Sequence, residues 1–194
     1  MTGSPDPAAV SGRVPIYNPA NLLTALRLGL IPVFAVFVIL SELTHAGWRV
    51  AAFFAFGVAS FTDLVDGWIA RRFGLVTAFG KVADPIADKA LTGTALVLLS
   101  WYDAVPWWMT AVILGREFGV TAMRFWVIRQ GVIPASRGGK AKTALQILAI
   151  GWYLWPLPEP VASAAPWIMA AAVVVTVATG LDYALRALRM HRSG

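Results

Sequence analysis

The chain has 194 residues, of which 58% are hydrophobic and 13% charged, and its mean hydropathy is +0.69. That balance lies outside the range of soluble domains and puts the chain in a bilayer. Its formal net charge is +6, and it has no cysteine, which excludes disulfides, zinc–thiolate sites and thiol catalysis.

In chain order, residues 1–20 are rich in Pro, Gly, Ser and Asp and lack the basic-then-apolar order of a cleavable signal peptide. They read as a flexible cytoplasmic tail, followed by a single membrane domain over 21–190. Apolar segments then fall at about 22–41, 48–70, 81–102, 106–129, 142–157 and 165–187, each near the ~20 residues needed to cross the hydrocarbon core. The expectation is an all-α membrane protein with six transmembrane helices. Turn-forming or polar residues separate the segments: Glu42 to Gly47, Arg71 to Gly74, Asp103 with Pro106, Gly131 to Gly139, and Pro156 to Pro160. Trp48, Trp101, Tyr102, Trp107, Trp108, Tyr153, Trp155 and Trp167 lie near segment ends, where aromatic belts meet the lipid–water interface, though any of them could equally fill a core.

Charge tests the topology. With the N-terminus inside, the outer loops are about 42–48, 102–106 and 157–165, and Arg49 is the only basic residue at any of them. The other fifteen of the sixteen Lys and Arg lie in the opposite tails and loops or in helices running to that face. An N-in, C-in topology follows from the positive-inside bias. The basic face would attract anionic headgroups and phosphorylated substrates. Nucleic acid is set aside as a partner because the basic residues are tied to membrane helices.

Among the ten acidic residues, Asp63, Asp66, Asp84 and Asp88 fall inside two adjacent apolar segments, where ionisable groups are functional by default. Asp63, Asp66, Gly67, Ala70 and Arg71 are spaced i, i+3, i+4, i+7, i+8 and share one helix face. Gly80, Asp84 and Asp88 repeat this at i, i+4, i+8 on the next helix. The short link between the two helices sets Asp63 level with Asp88 and Asp66 with Asp84. Gly67 and Ala70, almost without side chains, leave room for a ligand or a close backbone. Four carboxylates in a low-dielectric setting need a counter-charge. All-oxygen ligation without His or Cys selects Mg²⁺ or Mn²⁺, and four aspartates suffice to share two ions that could clamp a phosphoryl group. Ion pairing with Arg71, Arg72, Lys81 and Lys89 is the structural alternative, but it explains neither the spacing nor the small residues.

The run Asp63-x-x-Asp66-Gly67-x-x-Ala70-Arg71, eight further residues, then Gly80-x-x-x-Asp84-x-x-x-Asp88 resembles the complete signature of the CDP-alcohol phosphatidyltransferase family. Asn21-Leu22-Leu23-Thr24-x-x-Arg27, Asp84 to Lys89, Arg116 to Thr121 and Gly139 to Thr143 extend the resemblance over most of the chain. These additions are similar to the branch of the family that makes phosphatidylglycerophosphate. The resemblance implies six transmembrane helices, a homodimer, and a polar site in the cytoplasmic membrane open to the cytoplasm. It implies two metal ions held by Asp63, Asp66, Asp84 and Asp88, with Asp88 also the base that deprotonates the acceptor hydroxyl. Gly67, Ala70, Arg71 and Thr77 would face the CDP portion of CDP-diacylglycerol, with Asn21 and Thr24 lining the same pocket. The implied reaction is attack by glycerol 3-phosphate on the lipid-bearing phosphorus, with CMP leaving.

An acceptor carrying its own phosphate needs a second basic site. Arg116, Arg124, Arg137, Lys140 and Lys142 are the candidates, each of which could also be a positive-inside anchor. Glu117 reads as a structural partner of a nearby cation, and His45 and His191 have no assigned role. Within the same chemistry, inositol phosphate or phosphatidylglycerol could replace glycerol 3-phosphate. A basic pocket argues against serine. A divalent-cation transporter would also bury aspartates in a bundle, but it is often built from repeated halves, and none is evident in the sequence.

Overall fold

A computed structural model describes residues 19–73, 78–127 and 137–193, with side chains for all of these except 20, 70–71, 78–84, 124–127, 137–138 and 190–193. The described residues form helices and connecting turns, with no strand among them. The elements are α1 (Pro19–Ser41), α2 (Ala46–Phe73), α3 (Ala78–Trp101), α4 (Trp107–Val127), α5 (Arg137–Leu154), the four-residue α6 (Glu159–Ala162) and α7 (Ala165–Ser193). The long helices fall on the six expected segments, and α6 is an added turn in the connection between α5 and α7.

Three described stretches, Asn21–Ser41, Ala46–Ile69 and Glu159–Arg189, are long and apolar enough to cross a membrane by length and composition. The helices α3 and α4 carry charged side chains well inside their length, Asp88 with Lys89 and Arg116 with Glu117, and α5 carries Lys140 and Lys142 in its first two turns.

Beside an apolar core that includes Phe34 and Val38, the helices bury polar side chains and turn many large apolar ones outward. In α1 the polar residues Asn21, Thr24, Arg27 and Ser41 are buried, while Leu22, Leu26, Val33, Val36 and Ile39 are exposed. Lipid tails solvate leucine as well as a protein core does, so close packing and internal polar contacts hold the helices together. α1 packs extensively on α2. Buried Ala52, Ala55 and Ala59 let the α2 backbone approach, and Phe34 stacks on Phe56 with ring centroids 5.6 Å apart. α7 packs on both α4 and α5. In that seam Gln146 Nε2 donates to Thr176 Oγ1 at 3.1 Å, both residues being buried.

The loop ends follow local chemistry. After α1 the chain turns through Glu42 and Leu43 in the left-handed region, with Ser41 Oγ accepting from the Leu43 N–H at 3.1 Å. Arg49, in the first turn of α2, donates to the carbonyls of Tyr153, Leu154 and Trp155 at 2.9, 3.3 and 3.1 Å. The first two of these carbonyls end α5 and the third follows it, so a cation there satisfies the helix end and complements its dipole. Trp101, Trp107, Trp108 and Trp167, near the same end of the helices, are exposed, as an interfacial belt requires.

Candidate active site

The site begins where α1 lies against α2. Asp63 and Asp66 are one turn apart on α2, and Arg27 of α1, fully buried, reaches both. Its Nη1 lies 2.6 Å from Asp63 Oδ1, and its Nη2 donates to Asp66 Oδ2. Thr24 Oγ1, one turn earlier on α1, donates to the same Asp66 oxygen at 3.4 Å. Asp66 is 3% exposed and Asp63 37%, so one carboxylate is locked in the helix seam and the other opens to the space beyond. Buried Asn21 continues this polar stripe of α1. Gly67, next to Asp66, is half-buried.

Asp88 enters from α3 and is half-buried, within electrostatic range of Asp63, Lys89, Glu117 and Lys142. It lines a cavity of about 20 Å³ with Lys89, Thr92, Leu114, Glu117, Phe118, Lys142, Thr143 and Gln146. That is room for about one water molecule. Asp88 thus stands between the acidic face of α2 and a basic cluster on α4 and α5.

The basic cluster is organised by Glu117. Its Oε1 accepts from Lys142 Nζ and, at 3.1 Å, from Arg116 Nη1. Arg116 Nη2 also donates to Thr179 Oγ1 on α7 at 3.1 Å, while its Nε is buried with no partner among the described residues. α5 begins at Arg137, so Lys142 sits in the second turn, buried, rather than at the mouth of the helix as its place in the apolar pattern suggests. Lys140, two residues earlier, is exposed.

Asp63, Asp66 and Asp88 offer only oxygen donors, and the first two already converge on a cation. That donor chemistry fits a hard divalent ion. Among the described residues, no group of three or more His, Cys, Asp or Glu lies close enough to hold a metal. Thr77 and the side chains of Asp84, Ala70, Arg71, Arg124 and Arg137 lie outside the described residues.

Sequence spacing did not single out Arg27 as the partner of the acidic pair. The available signal was a lone arginine in line with Asn21 and Thr24 in an otherwise apolar helix, since such a charge must find a buried partner. Thr179 and Gln146 carried no comparable signal.

The match to known proteins agrees with this architecture. Residues 17–178 match the family model described as CDP-alcohol phosphatidyltransferase. A protein named "Probable phosphatidylglycerophosphate synthase" from Mycobacterium tuberculosis (strain ATCC 25618 / H37Rv) is 49% identical over 189 residues, covering 97% of this chain and 90% of that one. Two proteins named CDP-diacylglycerol--glycerol-3-phosphate 3-phosphatidyltransferase are also similar. The one from Bacillus subtilis (strain 168) is 38% identical over 184 residues, covering 87% of this chain and 94% of its own length. The one from Escherichia coli (strain K12) is 38% identical over 145 residues, covering 72% and 78%. With its helical architecture and a family match spanning most of its length, the chain belongs to the CDP-alcohol phosphatidyltransferase family.

Proposed function

We propose that this chain transfers the phosphatidyl group of CDP-diacylglycerol to glycerol 3-phosphate, giving phosphatidylglycerophosphate and CMP. The observation that carries the reading is the shared cavity of Asp88 and Lys142, with Glu117 tying Lys142 to Arg116. A carboxylate able to take a hydroxyl proton therefore lies beside cations able to hold the phosphate of the same small molecule. The names of the similar proteins support the same choice of substrates.

In this reading Asp63, Asp66, Asp84 and Asp88 hold Mg²⁺ or Mn²⁺, two ions per site. When bound, such ions neutralise the charge of the diphosphate and polarise its oxygens. Arg71, Gly67, Ala70 and Thr77 face the CDP portion, with Asn21 and Thr24 closing that side from α1. Arg27 holds Asp63 and Asp66 in place and keeps the pair from repelling. Arg116 and Lys142 bind the acceptor's phosphate, and the Nε–H of Arg116 has no partner among the described residues. Arg124, Arg137 and Lys140 add positive charge on the approach. Asp88 takes the proton of the acceptor hydroxyl as its oxygen bonds to the lipid-bearing phosphorus. The bond from that phosphorus to the CMP oxygen breaks, and CMP leaves with the electron pair. Positioning and electrostatics supply the rate, and no covalent enzyme intermediate is required.

The same reading places six spans in the cytoplasmic membrane, N-in and C-in, with the site facing the cytoplasm and the chain a homodimer. The engagement of Arg49 by the end of α5 supports this orientation, because it gives the one basic residue on the outer side a structural reason to be there. The test is release of CMP from CDP-diacylglycerol with glycerol 3-phosphate, inositol phosphate, phosphatidylglycerol, serine or no acceptor, with identification of the lipid formed. Phosphatidylglycerophosphate should dominate. A different lipid product would reassign the acceptor, and Mg²⁺ uptake into liposomes without CMP release would favour a transporter.

A further inference from the structure

We propose that Gly180 and Thr179 of α7 set the position of the Arg116 guanidinium, which makes α7 a positioning element for the phosphate end of the acceptor. The proposal rests on the reading of Arg116 as an acceptor-binding residue.

Glycine inside a helix weakens it relative to alanine, so one that sits there invites a reason. At Gly29, Gly57, Gly115 and Gly119 a Cβ would meet nothing within 4 Å. At Gly180 it would lie 2.8 Å from Arg116 Cγ, 3.3 Å from Nε and 3.6 Å from Cδ. The stem of Arg116 therefore crosses the α7 backbone in the space a methyl group would fill. The tightest contact is with Cγ, near the root of the side chain. Relief would need a change of rotamer rather than a small shift of the tip.

The far end of Arg116 is fixed as well. Thr179, next to Gly180, accepts from Nη2 at 3.1 Å. The threonine hydroxyl is itself oriented by the carbonyls of Val175 and Thr176, at 2.8 and 3.1 Å. Glu117 takes Nη1 at 3.1 Å. Stem, Nη1 and Nη2 are thus held by three separate contacts, and the buried Nε–H is the donor left without a partner among the described residues. A rotamer change forced by a methyl at 180 would break the Thr179 and Glu117 contacts together and re-aim that donor.

The experiment is a kinetic double-mutant cycle on the full chain in detergent or liposomes, with Gly180→Ala and Thr179→Val, each alone and combined with Arg116→Ala. The quantities are the KM for glycerol 3-phosphate, the KM for CDP-diacylglycerol, and the thermal unfolding midpoint. Gly180→Ala should raise the KM for glycerol 3-phosphate by about tenfold, the scale of one charge-assisted contact, and leave that for CDP-diacylglycerol nearly unchanged. Thr179→Val, which adds no bulk on α7, should shift the same constant in the same direction, and Thr179→Ser should restore it. Neither α7 change should have further effect once Arg116 is alanine.

Equal cost in both backgrounds would overturn the proposal, as would no change in the glycerol 3-phosphate constant. A parallel rise in both constants with a lowered unfolding midpoint would make Gly180 structural and also overturn it. If Arg116→Ala itself leaves the glycerol 3-phosphate constant unchanged, the acceptor reading fails and takes this proposal with it. That result is distinct from an impaired Arg116→Ala beside an unimpaired Gly180→Ala, in which the positioning claim alone fails.

Discussion

The acidic face of α2 and the basic cluster of α4 and α5 neutralise their charges in opposite ways. On α2, two carboxylates, Asp63 and Asp66, share one guanidinium, Arg27, so these three side chains together carry one negative charge. On α4 and α5, two cations, Arg116 and Lys142, share one carboxylate, Glu117, so that group keeps one positive charge. Asp88 lies between them, in range of Asp63 on one side and of Glu117 and Lys142 on the other. Each cluster is partly compensated within itself, and each retains the sign that its proposed ligand would need. On the proposed assignment the acidic group takes divalent cations with the diphosphate they carry, and the basic group takes a phosphate monoester. One bundle would then hold two phosphorylated substrates without confusing their sites.

The largest expected effect removes what the acidic side requires. EDTA should abolish CMP release, and Mg²⁺ or Mn²⁺ should restore it, because the remaining negative charge has to be met by a cation. Full turnover in metal-free buffer would remove metal from the account. Next in size, Asp88→Asn keeps the shape and one coordinating oxygen but cannot accept a proton. Turnover should fall on the order of 10²–10⁴-fold at saturating Mg²⁺, with CDP-diacylglycerol binding largely retained. Near-normal turnover would send the proton by another route. Loss of lipid binding would reduce Asp88 to a ligand.

Arg27→Met tests the compensation itself. It removes the guanidinium that Asp63 and Asp66 share, and removing one partner of a buried pair costs about 3–5 kcal/mol. A clear drop in thermal unfolding midpoint is expected in metal-free detergent, partly recovered by Mg²⁺. A midpoint indifferent to both would mean that the carboxylates do not depend on Arg27. The smallest effects separate the two lysines of α5. Lys142→Met should raise the KM for glycerol 3-phosphate about tenfold. Lys140→Met, at an exposed position, should change it by less than about threefold. Equal effects would make the basic cluster a diffuse field rather than a built site.

Much of this architecture was legible in the sequence because a bilayer imposes a length and a composition on each helix. Family and helical fold follow from that pattern together with the spacing of the aspartates. The helix ends were less legible. α5 starts at Arg137, five residues before its apolar segment, since basic residues lower hydropathy without interrupting a helix. α6, four residues that include Pro160 and follow Pro158, is too short to register in a hydropathy pattern. Pairings across the bundle were the least legible. Arg27 counts as one more positive-inside residue until α1 is laid on α2, 39 residues away from Asp66 in sequence. Glu117 was recognisable as some cation's partner. That it serves both its neighbour Arg116 and Lys142, 25 residues on, depends on how α4 meets α5.

The central claim is that the two oppositely charged clusters serve different substrates. Its most direct test is the pair of Michaelis constants, for CDP-diacylglycerol and for glycerol 3-phosphate, measured in Asp66→Asn and Arg116→Ala at saturating Mg²⁺. Arg116→Ala should raise the glycerol 3-phosphate constant by roughly ten- to a hundredfold, the loss of one charge-assisted phosphate contact, and hardly move the lipid constant. Asp66→Asn should raise the lipid constant and lower turnover. If both substitutions shift both constants by similar factors, the clusters act as one undivided site, and the division of labour proposed between them is wrong.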